Sequence, residues 1–165
     1  MTRSVMMSKI GAKDTRPELI VRHGLHRRGY RFSLHSRNLP GRPDLVLRKY
    51  RAVILVHGCF WHAHEGCPHF RIPATRTDFW TAKLTRNRNR DREVLGALLE
   101  AGWRVLTVWE CSIRKMSVDS LIHRITLWLE SGANTDHIFP HPSVTERPFP
   151  GSQDFVGRNV TYDCT

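Results

Sequence analysis

The chain reads as an α/β protein, a mixed sheet with helices packed against it. Three observations carry that reading. Two segments, Ala52 to Val56 and Trp103 to Trp109, are nearly continuous in apolar residues, as strands covered on both faces are. Between them runs a long stretch, Thr77 to Ala101, with apolar residues at helical spacing. The order of elements is helix, three strands, helix, strand, helix, which sets helices against a sheet rather than in a bundle.

Each element has a local reason. Thr15-Arg16-Pro17-Glu18 fits a capping box with proline in the first turn, so a helix should start there, reach about Arg28 and end at Gly29. Tyr30 to Leu34 reads as a strand, and SRNLPGRP, residues 36–43, as a turn. Asp44 to Leu47 and Ala52 to Val56 read as two strands joined by the polar turn Arg48 to Arg51. Residues 57–76 have no regular period and hold two of the four cysteines and four of the ten histidines. Thr77 can cap the long helix, which ends near Ala101, before Gly102. Trp103 to Trp109 is the next strand. Ser117 can cap a last helix to about Glu130, with Leu121, Ile125, Trp128 and Leu129 on one side. Residues 1–14 are polar and basic and read as an arm. Residues 131–165, rich in Gly, Pro, Asn and Ser, read as an irregular tail. One domain, 15–130, lies between them.

Composition points to a polyanion. The formal charge is +11, with Arg far outnumbering Lys. Such a balance favours nucleic acid through phosphate contacts and counterion release, over a surface kept basic only for solubility. The basic residues gather in Arg22 to Arg31 and in KLTRNRNRDR, Lys83 to Arg92. No run of about 18 apolar residues exists, so no membrane span is expected. The start, MTRSVMMSKIGAKDTR, lacks the continuous apolar block of a secretory signal, so a cytoplasmic location is expected. A disulfide framework is then not expected, and the cysteines read as thiols or metal ligands. Cys164 stands apart in the tail.

Cys59, His64 and Cys67, with Cys111 at the end of a strand, could close around one tetrahedral zinc with no open position. The spacing is not that of a common finger, and His57, His62 and His69 stay open as alternative ligands. Asp44 follows PGRP and opens an apolar strand. A carboxylate there needs a positive partner such as a divalent metal, or else serves as a turn cap. On the long helix, Leu84, Asp91, Leu95 and Leu98 share a face, which turns Asp91 inward toward a partner such as His62 or His57. Glu18 is accounted for by the capping box, though a first-turn carboxylate can also reach a neighbouring site. Phe60, Trp61 and Trp80 could wedge between bases, but on their own such residues more often fill a core.

PGRPD, VHGCFWHAH, PATRTDFW, NRDRE and GWRVLTVWEC together resemble the very short patch repair endonucleases of bacteria, in order and spacing, from about Met7 to Glu130. That resemblance implies a restriction-endonuclease-like fold with a structural zinc site. It implies magnesium-dependent nicking of one strand, 5′ of the thymine of a T:G mismatch left by deaminated 5-methylcytosine. By position, Asp44 looks like the magnesium carboxylate, joined by the carbonyl of Val56. His62 looks like the catalytic base and Asp91 its orienting carboxylate, with His57 and Glu18 in support. Cys59, His64, Cys67 and Cys111 match the zinc ligands. Phe60, Trp61 and Trp80 match aromatics that wedge into the duplex, and the arm matches one that grips the minor groove. Double-stranded DNA with a T:G mismatch would be the partner, mismatch-repair proteins are candidates beside it, and a monomer on the nucleoid is expected. Two departures stand out. Glu65 and Gly66 both intervene between His64 and Cys67, one residue more than the pattern, and Ala63 replaces a histidine. The rivals are a restriction-type nuclease cutting paired DNA and a zinc-stapled DNA-binding module without catalysis.

Overall fold

A computed structural model describes residues 13–138. The arm read at 1–14 lies outside the described residues except for Lys13 and Asp14, as does the tail beyond residue 138. Helix α1 spans Arg16–Arg27, then come strands β1 (Ser33–Leu34), β2 (Leu45–Leu47) and β3 (Ala52–His57). Helix α2 (Thr77–Glu100) leads to strand β4 (Arg104–Trp109), helices α3 (Glu110–Lys115) and α4 (Val118–Ser131), and strand β5 (Thr135–Ile138). The sheet runs in the order β1-β2-β3-β4-β5. The β1–β2 and β2–β3 pairs are antiparallel, and β3–β4 and β4–β5 are parallel. This is a mixed α/β sheet flanked by helices.

A period of two sorts the core between the sheet's faces. Leu45, Leu47, Ala52, Ile54, Leu106 and Val108 pack with Val21 and Leu25 of α1 and with Leu121, Ile122 and Ile125 of α4. Val46, Val53, Leu55 and Val105 pack with Leu98 of α2. The central strands are thus covered on both sides, as their continuous apolar runs require. Helix α1 approaches α4 so closely that a Cβ on Gly24 would lie 2.4 Å from Ile122.

Four local expectations change. The strand expected from Tyr30 shrinks to Ser33–Leu34, because Tyr30 and Phe32 pack on the core instead of extending a ladder. Thr77 is the first helical residue of α2, not its cap. Its hydroxyl donates back to the carbonyls of Pro73 and Ala74, and Arg76 takes the left-handed cap position at φ 55°. Ser117 does cap α4, its hydroxyl accepting from the Ser120 amide. Helix α3 and strand β5 were not foreseen. β5 pairs with β4 at residues 135–138, in the stretch read as irregular, because backbone pairing needs no apolar run there. Arg104 secures that end, donating to the carbonyls of Trp128, Leu129 and Ala133 at the terminus of α4.

The PGRP turn leans on α2. Gly41 holds φ +69°, and a Cβ there would lie 2.3 Å from Val94. Gly41→Ala should therefore lower stability by about 2–4 kcal/mol, from left-handed backbone cost plus overpacking. Chemical unfolding measures it, and an unchanged midpoint would contradict the packing described.

Candidate active site and metal cluster

β3 and β4 end side by side, His57 paired with Trp109. The loop after β3 then winds back on itself. The His62 amide donates to Gly58, His64 to Cys59, Cys67 to His64 and Phe70 to Cys67. Gly66 takes φ +69°, so the extra residue before Cys67 is absorbed by a glycine in a left-handed turn. Helix α3 begins at Glu110 and turns Cys111 toward this loop.

The ligand atoms of Cys59, His64, Cys67 and Cys111 lie within 4.8 Å of one another. The three cysteines are buried thiols without disulfides, and His64 stacks on Trp109 at 3.9 Å between ring centroids. Hydrogen bonding with Cys111 and burial push the Cys59 thiol up to about 12, and burial pushes Cys67 up as well. Three thiols and an imidazole so packed are the donor set of a tetrahedral soft-metal site, and a divalent cation is the group that would let the thiols ionise. Among the rival histidines, His62 turns away from this cluster.

His62 instead meets Asp91, as the inward face of α2 suggested: Nδ1 lies 2.7 Å from Oδ2. Because Asp91 accepts, the His62 hydrogen sits on Nδ1 and the lone pair on Nε2 stays available. Burial pushes the Asp91 carboxyl up, but the hydrogen bond from His62 outweighs it and holds Asp91 below its usual value. His57 stacks on His62, centroids 3.8 Å apart and planes 4° from parallel. Burial lowers the His57 pKa to about 3, so His57 stays neutral. The ligand atoms of His57, His62 and Asp91 also lie within 4.8 Å. A single ion would need both rings to point in-plane lone pairs at one spot, which parallel stacked rings do not do. The trio is therefore better built for proton transfer than for metal. A cavity of about 350 Å³ adjoins it, with Thr107, Trp109 and His137 also on its wall.

Asp44 sits just before β2, four-fifths buried by its 20 % side-chain exposure. Its Oδ2 accepts from the Val56 amide at 2.7 Å, and its Oδ1 lies 3.9 Å from His35 Nδ1. Burial pushes its carboxyl up to about 6, with the charge of Glu18 adding to the effect and the Val56 amide opposing it. An oxygen donor destabilised in this way fits a hard divalent cation, which would offset both costs. The expected capping box does not form: the Thr15 hydroxyl donates to the Glu18 carboxylate instead of capping the helix, and Glu18 accepts from the Asp14 amide, one residue before the cap, and binds Arg22. Asp44 and Glu18 thus keep company with Arg22 and His35, whereas His57, His62 and Asp91 form a separate trio. The two groups are linked through β3, where Val56 holds Asp44 and the next residue stacks on His62.

Phe60, Trp61 and Trp80 do gather. Phe60 meets Trp61 edge-on at 5.1 Å and Trp80 at 5.4 Å. None of the three is fully buried. The Lys83 ammonium lies over Trp61 and Trp80, and the Asn87 amide donates to the Trp61 carbonyl. Sequence reasoning missed Phe79, 43 % exposed against Trp80, although the DFW triplet signalled it. It also missed Arg22, His35 and His137, which carry no pattern of their own.

A histidine–carboxylate pair, a buried carboxylate and a strongly basic composition are the equipment a DNA endonuclease would use, and the relatives are enzymes of that class. The DNA mismatch endonuclease Vsr family model matches residues 1–68. The chain is 45 % identical over 131 residues to the DNA mismatch endonuclease Vsr of Escherichia coli (strain K12), covering 78 % of this chain and 83 % of that protein. It is 48 % identical to the type II nicking enzyme V.XorIIP of Xanthomonas oryzae pv. oryzae, covering 67 % and 81 %. Identity to V.NmeAIP of Neisseria meningitidis serogroup A is 40 %, covering 70 % and 82 %. The chain belongs to the Vsr family.

The raised pKa of Asp44 sets a pH dependence. Its charge costs the fold nothing while it is protonated in both states, below its usual 3.8, and the full cost appears above about 6. In magnesium-free buffer at pH 8, Asp44→Asn should be more stable than the parent by about 1–3 kcal/mol. That gap should close as the pH falls below 4, and a gap independent of pH would show that the carboxyl is not perturbed.

Proposed function

We propose that this protein is a magnesium-dependent nickase that cuts one strand 5′ of the thymine of a T:G mismatch left by deaminated 5-methylcytosine. The observation that carries the reading is the His62–Asp91 hydrogen bond, 2.7 Å long, with Nε2 left to accept a proton. The names of the relatives support the substrate: one is a DNA mismatch endonuclease and the others are nicking enzymes.

In this reading Asp91 fixes the ring of His62, and Nε2 takes the proton of the attacking water. Neutral His57, stacked on that ring, limits its rotation and adds no competing charge. Asp44 and the Val56 carbonyl would hold magnesium, with Glu18 in support. When bound, two magnesium ions supply positive charge to the attacking and leaving oxygens of the scissile phosphate. The water's oxygen bonds to phosphorus, the bond to the 3′ oxygen breaks and that oxygen takes up a proton from solvent, so the products are a 5′-phosphate and a 3′-hydroxyl. Phe60, Trp61 and Trp80 enter the duplex beside the mismatch, where pairing is already weak and unstacking costs less. Residues 1–14 grip the minor groove.

The Cys59, His64, Cys67 and Cys111 cluster holds zinc and does no chemistry itself. The fold is restriction-endonuclease-like, with the endonuclease domain starting at residue 15 and β5 extending it past 130. The protein works as a monomer on the bacterial nucleoid, with mismatch-repair proteins as candidate partners. No helix among the described residues is long and apolar enough to cross a membrane.

Two experiments test this. Asp44→Ala should abolish nicking of a T:G duplex in magnesium while binding persists. The fully paired T:A duplex should stay uncut by the parent protein. Activity of Asp44→Ala, or equal cutting of both duplexes, would sink the reading. Separately, one equivalent of zinc should be found by elemental analysis, and Cys111→Ser should lose most of it and melt earlier. Full zinc in that variant would remove Cys111 from the ligand set.

A further inference from the structure

Glu18, Arg22 and His35 form a contact chain against Asp44. Arg22 is 6 % exposed and lies in the middle of α1. Its Nη2 donates to Glu18 Oε2 at 2.8 Å, and its Nη1 donates to Asp14. The same Nη2 lies 2.8 Å from His35 Nε2. A guanidinium has donors only, so His35 Nε2 must be the acceptor and its ring hydrogen must sit on Nδ1. That Nδ1 faces Asp44 Oδ1 across 3.9 Å, while Asp44 Oδ2 takes the Val56 amide at 2.7 Å. Oδ2 of the carboxylate thus holds an N–H hydrogen bond, while Oδ1 has the His35 ring nitrogen at ion-pair distance, 3.9 Å.

We propose that His35 is a positioning residue for Asp44, its ring tautomer set by Arg22 and the guanidinium in turn held by Glu18. The proposal rests on reading Asp44 as the metal carboxylate. Its logic is that a ligating carboxylate binds best when its rotation is already restricted by outer donors. The opposite tautomer would aim a lone pair at Asp44 and push the carboxylate aside. Arg22 prevents that by occupying Nε2. His35 itself holds φ 45°, so the ring is delivered from a tight bend rather than from a ladder position.

The tautomer is directly measurable. In the full-length, magnesium-free protein, long-range proton–nitrogen NMR should show the His35 hydrogen on Nδ1, and Arg22→Lys should mix the two forms. A hydrogen on Nε2 in the parent overturns the proposal. Manganese binding followed by calorimetry is the second readout. His35→Ala should weaken it about tenfold, with a matching rise in the magnesium needed for half-maximal nicking. His35→Asn, which restores an N–H near the Nδ1 position, should recover most of the loss. Both variants should melt within a degree or two of the parent (roughly 0.5 kcal/mol or less). Unchanged manganese affinity in His35→Ala, or no recovery in His35→Asn, overturns the proposal. If Asp44→Ala binds manganese as tightly as the parent, the metal reading of Asp44 fails and takes this proposal with it, whatever the tautomer shows.

Discussion

The Cys59–His64–Cys67–Cys111 cluster is the constraint on which the remaining site geometry depends. It ties a loop with almost no regular structure to the end of β4. Within that loop the side chains are dealt out in turn. Cys59 and His64 point into the cluster, Phe60 and Trp61 join Trp80 on α2, and His62 meets Asp91. Trp109 sits between the two chemistries, stacked on His64 and edge-on to His57. A shift of the cluster would move the aromatic wall and the proton-accepting ring together.

The sheet supplies the second half of the arrangement. β3 pairs with β2 as far as Ile54 and with β4 along its whole length, so its last two residues are held by β4 while their other edge is open to Asp44 and the loop. Val56 gives its amide to Asp44, and His57 stacks under His62. Helix α1 brings Glu18 and Arg22 to the first of these, and α2 brings Asp91 to the second. Two of the carboxylates are thus kept with partners: Asp91 with His62, and Glu18 with Arg22. Burial raises the Asp44 carboxyl, a cost that a cation held there would offset.

Much of this was legible because the physics behind it is local or periodic. The apolar runs at 52–56 and 103–109 gave the two central strands, and the seven-four-three spacing from Leu84 to Leu98 turned Asp91 inward. The cysteine set was legible as ligands but not as a shape, since spacing left His57, His62 and His69 as rivals to His64. Other features have no local signature. The strand at Thr135–Ile138 is drawn into the sheet by its neighbour, not by its own composition. Thr77 looks like a cap, yet the carbonyls of Pro73 and Ala74 claim its hydroxyl. His35 is a lone histidine in a polar bend, and only the fold brings it to Arg22 and Asp44.

The parallel pairing of β3 with β4 has a temporal consequence. The two strands cannot zip from a hairpin, because the whole of α2 must be threaded between them first. Such non-local pairings are slow, since the chain must lose loop entropy before any contact repays it. Cys111 and Trp109 can therefore meet the loop only once the whole of α2 has been made. During synthesis the emerging chain would already carry its basic stretch, Lys83 to Arg92, while the machinery that cuts is still unassembled.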